Sequence, residues 1–339
     1  MTTQPHRDAM LHSISRRRAL ITGGTLLAAP ALARHGWAQG GYPNKPIRIV
    51  VGFAAGGATD ILGRIVANHL QTTWNVQAIV DNRPGAGGNV GADIVAKAPP
   101  DGYTLLLGTV GSAVTNQFLY KSMPFDTATA FAPVALVGEV ANVLAVHPGV
   151  AAKTVQEYIA LAKAKPGQLN YGSPAIGGTG HLAMEYFKSL TGIQVEHIVY
   201  KGSALVIQDL LPGRIPSVMD NLPVYLPHIQ SGGIRALAVT SSKRWFNLPD
   251  VPTIAESGVP GYDAAPWWYV SAPAGTPADI VKKLSDEIVR GIKLPDVEKK
   301  IRDAGAAPLP GTSEELAKHI AAETVKWKKV ADAAGLKPE

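Results

Sequence analysis

The sequence predicts an α/β protein of two similar lobes with a ligand cleft between them. Three observations carry this. The chain has 339 residues, enough for about two domains at roughly 150 residues each. Short apolar runs with strand character alternate with amphipathic helical segments. That alternation begins twice, each time with glycine-rich loops between a strand and the next helix.

The first series opens with a strand over residues 47–53 and a glycine-rich break. A helix over 60–70 then places Ile61, Leu62, Ile65, Val66 and Leu70 on one face. Residues 76–80 form a second strand and 83–88 a second glycine loop. A helix runs to about residue 98, Pro99-Pro-Asp-Gly102 turns the chain, and 103–109 is a third strand. Such a series argues for a mainly parallel sheet covered by helices. The second series places strands at 143–146, 169–171, 194–199, 215–220 and 234–239, and helices at 154–164, 181–190 and 204–211. After the Pro/Gly-rich stretch 248–266, residues 268–272 read as one more strand. Two helices close the chain, the last capped by Thr312 with Glu315 three residues on. The expected lobes are 39–143 with 267–339, and 144–266.

With 46% hydrophobic residues the chain is not disordered. The absence of cysteine excludes disulfides, thiolate metal sites and a cysteine nucleophile. A net charge of +6 would suggest nucleic acid or an acidic membrane as partner. Residues 1–38, however, hold Arg7, Arg16, Arg17, Arg18 and Arg34 against Asp8, so only +2 remains beyond them. The uncharged stretch 19–33 is too short for a spanning helix, which needs about 20 residues. It ends in small residues, at Ala31-Leu-Ala33 and again at Ala38-Gln39. Residues 1–38 therefore read as a signal peptide, and Ser15-Arg-Arg-Arg-Ala-Leu20 fits the twin-arginine pattern. The mature chain is expected to be soluble in the periplasm, with no nucleic-acid partner. Lys326, Lys328 and Lys329 read as a solvated helix face.

In open α/β sheets, ligands sit beyond the carboxyl ends of the strands. The candidate loops are therefore 53–60, 82–91, 109–116, 172–181, 200–203 and 220–222. Phe53-Ala-Ala-Gly-Gly-Ala-Thr-Asp60 follows a strand and opens a helix, whose first N–H groups favour an anion such as a carboxylate. The same residues also fit an ordinary turn in which Asp60 pairs with Arg64. Residues 173–181 repeat the character ahead of the next helix, with His181 either contacting ligand or stabilising the helix start. Gly178-Thr-Gly-His-Leu-Ala183 formally matches a dinucleotide fingerprint, so an NAD-dependent oxidoreductase using Gly178, Thr179 and Gly180 is the alternative. The chain has no G-x-x-x-x-G-K, H-E-x-x-H or G-x-S-x-G signature. Its nine histidines are scattered, three of them before residue 38, so no metal site, cofactor or catalysis is expected. Trp267 and Trp268 could wall the cleft, which would favour an aromatic carboxylate over a compact aliphatic one, or pack in a core. Leu316, Ile320 and Trp327 form a stripe that would dock the last helix on the first lobe.

Across the whole mature chain the sequence resembles the periplasmic solute receptors of tripartite tricarboxylate transporters, the Bug-type receptors. The runs that carry the resemblance are Phe53-Ala-Ala-Gly-Gly-Ala-Thr-Asp60, Asp81-Asn-Arg-Pro-Gly-Ala-Gly-Gly88, Pro100-Asp-Gly-Tyr-Thr-Leu105, Tyr171-Gly-Ser-Pro-Ala-Ile-Gly-Gly-Thr-Gly-His181 and Val199-Tyr-Lys-Gly202. The resemblance implies a two-lobed type II periplasmic binding protein fold that closes on a small carboxylate and hands it to a membrane permease, acting as a monomer. It further implies that Phe53, Ala55, Gly56 and Asp60 form the carboxylate loop of the first lobe, with Thr109 and Trp268 adding contacts. Ser173, Thr179, His181, Tyr200 and Asp220 would form the opposite wall. Two positions depart from the pattern: Ala55 stands where proline is frequent, and Tyr269 where glycine often follows the tryptophan.

Overall fold

The computed structural model describes residues 41–338 except Ala175, Lys201 and Lys337; the expected export signal lies outside the described residues. Pro43–Glu339 forms one compact unit. It opens with three parallel strands, β1 (Ile47–Val51), β2 (Ala78–Asn82) and β3 (Thr104–Thr109), with β1 in the middle. Ile47, Ile49, Val50 and Val51 of β1 are fully buried, the mostly apolar make-up of a strand covered on both faces, with Arg48 partly exposed and paired to Asp81. The connecting helices are α1 (Ala58–Trp74) and α2 (Asn89–Ala96). α1 buries Leu62, Val66 and Leu70, while Ile61 is left 38% exposed, so its apolar stripe is narrower than the sequence suggests.

After two short helical turns at Gly111–Thr115 and Asn116–Phe118, β4 (Phe131–Glu139) brings the chain to the second sheet. That sheet contains β5 (Asn142–Val146), β6 (Asn170–Ser173), β7 (Glu196–Val199), β8 (Ser217–Asn221) and β9 (Arg235–Val239). Between its strands run α3 (Val155–Ala164), α4 (Thr179–Thr191), α5 (Ser203–Leu210) and α6 (Leu222–Gln230). The chain returns with β10 (Trp267–Pro273), α7 (Ala278–Ile292), α8 (Pro295–Asp303), β11 (Ala307–Gly311) and α9 (Ser313–Ala334).

The strand orders are β11-β4-β10-β3-β1-β2 and β7-β6-β8-β5-β9. In the first sheet β10 runs antiparallel to both β3 and β4, and β11 antiparallel to β4. In the second, β5 runs antiparallel to β8 and β9, while β6, β7 and β8 are parallel. Each sheet is thus mixed rather than mainly parallel, because each receives strands from the crossing segments as well as from βα units.

Two crossing segments join the sheets, and they bond to each other. Val140 N–H donates to Pro266 O at 2.8 Å, Thr240 N–H to Asn142 O at 2.9 Å, and Asn142 N–H to Thr240 Oγ1 at 2.9 Å. α9 starts on a capping box between Thr312 and Glu315 and packs along β4. Its Glu323 accepts from the indole N–H of both Trp267 and Trp327, at 3.2 and 2.8 Å. Its Lys326 reaches Asp263 O at 3.0 Å. The buried tyrosines on and around the second sheet are tied: Tyr158 OH to Ser217, Tyr171 OH to Glu185, Tyr225 OH to Asp220 and Tyr262 OH to Ala183 O, as burial of a hydroxyl requires.

Candidate functional site

A cleft of about 780 Å³ lies where the two sheets present the carboxyl ends of their strands. Phe53 enters it just beyond β1, Thr109 from the end of β3, Pro174 from beyond β6, and Asn221 from the end of β8. Gly87, Thr115, Asn116 and Tyr120 complete the wall on the first sheet's side, and Ile176, Gly177, Gly178 and Thr179 complete it on the second. Among the described residues, every one lining this cleft is uncharged. What it offers an anion is therefore neutral donors: hydroxyls, side-chain amides and the N–H groups at the start of α4. That start is capped by Gly178 with no side-chain hydrogen bond, and the first intrahelical bond is Leu182 N–H to Gly178 O. The preceding N–H groups of the first turn have no partner within the helix and carry its positive end.

Glycine places these walls. Gly180 sits so close to β8 that a Cβ there would lie 2.0 Å from Met219 O, so only glycine lets the start of α4 reach the strand. Gly88 has φ +95° and lies under the Phe53 ring, where a Cβ would be 3.2 Å from it. Asn116 ties the neighbouring loop down, donating to Gly87 O at 3.1 Å and to Asn89 Oδ1 at 2.7 Å.

Of the residues singled out in the sequence, Phe53, Thr109, Gly178 and Thr179 line the cleft. The others lie outside its lining. Asp60 is buried, and its carboxylate accepts from Gly56 N–H at 2.9 Å, Arg64 Nε at 3.0 Å and Asn82 Nδ2 at 3.0 Å. Burial by itself would raise its pKa, but the bonds from Arg64, Gly56 and Asn82 hold it below the ordinary carboxylate value. Asp60 thus shapes the loop after β1, and Gly56 spends its N–H on that carboxylate. Ala55 and Gly56 are exposed and outside the lining.

His181 is buried, and its Nδ1 accepts from Gly177 N–H at 2.9 Å. The ring stacks on His197, with centroids 4.3 Å apart, and His197 Nε2 meets the Oγ of the fully buried Ser173 at 2.7 Å. Both histidine pKa values are pushed down to about 4, chiefly by burial. Neutral rings suit the bond from Gly177, because Nδ1 can accept only when it carries no proton. His181 and Ser173 therefore position the glycine loop rather than line the cleft.

Asp220 is likewise a support. It is fully buried, accepts from Asn221 N–H at 2.7 Å and from Tyr225 OH at 2.9 Å, and has its pKa raised by burial. Its neighbour Asn221 is the residue that faces the cleft. Tyr200 turns away to Asp209, at 3.0 Å. Trp268 is buried beside α1, where its indole N–H donates to Thr59 Oγ1 at 2.9 Å, and Trp267 is held by Glu323; neither tryptophan lines the cleft.

The candidate loops contain Asn116, Ile176 and Asn221, which line the cleft although none is singled out by the sequence, whereas Leu119, Tyr120 and the chain-end pair Gly335 and Leu336 lie outside those loops. Asn221 carries a readable signal as the polar residue at a strand end two positions before Pro223. Among the described residues, no group of three acidic or imidazole side chains stands together as a metal site, and no helix is long and apolar enough to cross a membrane.

Residues 62–336 match the family model of the tripartite tricarboxylate transporter family receptor. The protein BugT of Bordetella pertussis is 37% identical over 297 residues, covering 87% of this chain and 91% of that one. A protein encoded in the tcbD–tcbE intergenic region of Pseudomonas sp. strain P51 is 35% identical over 94% of this chain and 95% of its own length. Among solved structures, R. palustris Rpa4515 with adipate superposes with TM-score 0.77 at 41% identity, covering 88% of this chain and all of that one. The periplasmic binding protein BugD gives 0.72 at 32% identity over 88% of this chain and all of its own. MatC of Rhodopseudomonas palustris with bound malate gives 0.71 at 28%, over 86% and 100% respectively. In sequence and in fold alike, the chain belongs to the receptor family of the tripartite tricarboxylate transporters.

Proposed function

We propose that the protein is an exported, monomeric solute receptor that takes a small carboxylate with an apolar body between its lobes and passes it to a membrane permease. The observation that carries this is the uncapped start of α4, set with Thr179, Asn221, Thr109 and Tyr120 around a cleft whose described lining is uncharged. A carboxylate there would meet the helix end and the polar side chains. Phe53, Leu119, Ile176 and Leu336 would cover the rest of the ligand. Adipate in Rpa4515 and malate in MatC are small carboxylates, and adipate has the apolar body that this lining suits.

Binding at micromolar Kd needs about 8 kcal/mol. A partly buried helix end contributes up to about 2 kcal/mol, and each hydrogen bond to a charged group about 1.5–3 kcal/mol, so both walls must engage together. Closure follows because the ligand then binds the closed arrangement better than the open one. On this reading the receptor acts by binding alone, as solute receptors of its family do. The tryptophans give no reason to favour an aromatic ligand, since both lie outside the lining.

Thermal-shift screening and calorimetry on the mature chain test this with adipate, malate, benzoate and related mono-, di- and tricarboxylates. A ligand at 100 times its Kd is expected to stabilise by about 2.7 kcal/mol, with a smaller radius of gyration in solution scattering. Silence across the panel overturns the receptor reading. A shift with NAD that is lost on mutating Gly178 would instead support the oxidoreductase.

A further inference from the structure

The first sheet carries another cavity, of about 400 Å³, between β4, β10 and α9. The segment 111–118 separates it from the cleft: Ala113 and Gln117 face this cavity, while Gly111, Thr115 and Asn116 face the cleft. Phe131 and Ile320 supply apolar walls. Ala317 and Ala321, one turn apart on α9, leave the space that larger side chains would fill. No charged side chain lines it among the described residues, and its volume falls within the range of small-molecule pockets.

One group in it has no internal explanation. Ser271 is 1% exposed on the central strand β10, lines the cavity, and its Oγ has no hydrogen-bond partner among the described residues. Three polar side chains around it bond elsewhere. Tyr269 OH meets Ser112 Oγ at 3.3 Å, Thr324 Oγ1 donates to Ile320 O at 2.8 Å, and Gln117 Nε2 donates to Val114 O at 2.8 Å. Buried hydroxyls are nearly always paired. An ordered water needs two to four polar partners, whereas a molecule with an apolar body and one polar group needs only the serine.

We propose that this cavity is a second binding site, for a small uncharged molecule carrying an apolar body and a single hydroxyl, whose oxygen pairs with Ser271. The site is independent of the carboxylate reading, because it shares no lining residue with the cleft.

The test uses the full mature chain with ¹³C-labelled isoleucine methyl groups and 4-methylphenol as probe. A saturable shift of the Ile320 methyl is expected, with toluene binding at least fivefold more weakly than the phenol. Ala321→Phe should abolish the shift by filling the space; Ala321 is exposed, so the variant folds, as its melting curve would verify. Ser271→Ala should erase the preference for 4-methylphenol over toluene without lowering the melting temperature, since it removes only an unpaired hydroxyl. The proposal is overturned if the Ile320 methyl shows no saturable shift, if Ala321→Phe binds as the parent does, or if Ser271→Ala keeps the preference.

Discussion

Replacing Gly180 by alanine should disable the cleft from behind. The added Cβ would stand 2.0 Å from Met219 O, 2.8 Å from Met219 C and 3.2 Å from Asp220 Cα. All three are backbone atoms of β8, a strand hydrogen-bonded on both sides and fully buried at Met219, so the obstacle cannot rotate away. Real Cβ contacts essentially never fall below 3.0 Å, and the start of α4 must therefore retreat by about 1 Å. Overpacking of this kind costs about 1–3 kcal/mol, and backbone resistance puts the value near the upper end. At about 2–4 °C per kcal/mol, the melting temperature should fall by roughly 4–10 °C. Thr179 moves with the helix, away from Asn221, whose Oδ1 is 3.5 Å from its hydroxyl. Loss of one hydrogen bond to a carboxylate, about 1.5–3 kcal/mol, should weaken adipate at least tenfold in calorimetry. Gly57→Ala is the control, because its nearest neighbour, Ala54 O, is an ordinary 3.7 Å away. A Gly180→Ala protein that melts within 1 °C of the parent and binds adipate equally well would refute the seating of α4 on β8.

Three further expectations follow from the buried polar groups. His181 and His197 stay neutral down to about pH 4 when folded but protonate near 6.5 when unfolded. The unfolded chain thus binds more protons between those values, so their contribution is present above about pH 6.5 and lost toward pH 4, at up to about 1.4 kcal/mol per pH unit for one ring. Urea midpoints across that window should fall less steeply in His181→Gln than in the parent, and equal slopes would contradict this. Asp60→Ala strips the acceptor from Gly56, Arg64 and Asn82 and should cost about 2–3 kcal/mol in chemical denaturation, with weaker adipate binding as the Phe53 loop loosens. Trp268→Phe removes the bond to Thr59 together with part of a buried ring; it should cost about 2 kcal/mol and leave adipate affinity within twofold, and a tenfold loss would place the indole in the cleft after all.

The parts of the fold legible in the sequence are those where period and punctuation agree. β1 and β3 are mostly apolar runs and the β6–α4 unit is marked by its glycine loop, and Phe53, Thr109 and Thr179 could be picked because they stand at those strand ends and helix starts. β4 was not visible because Pro133 interrupts its run, and Pro308 and Pro310 concealed β11, which tolerates them as an edge strand. Pro227 similarly hid α6. Within the site, the sequence favoured chemically conspicuous side chains. Asp60, His181, Ser173 and Asp220 are conspicuous because buried backbone and helix starts need partners, and each turns toward such a group instead of the solvent. Side-chain direction depends on packing that no local pattern records, which is why Asp220 was chosen over its neighbour Asn221. Tyr120 escaped notice because the chain after β3 coils through two kinds of helical turn, returning residues to the cleft beyond 109–116, where the candidate loop ends.

The paired crossing segments bear on how such a receptor can move. Two independent tethers would let the halves shear, twist and rock. Here the tethers are hydrogen-bonded to each other through Val140 with Pro266 and Asn142 with Thr240, so the first is held at both ends of the second, 240–266. Sliding one tether along the other would break those bonds, whereas bending them together keeps them. A receptor that closes would therefore swing about that joined pair, and the affinity for ligand would become a torque on one axle.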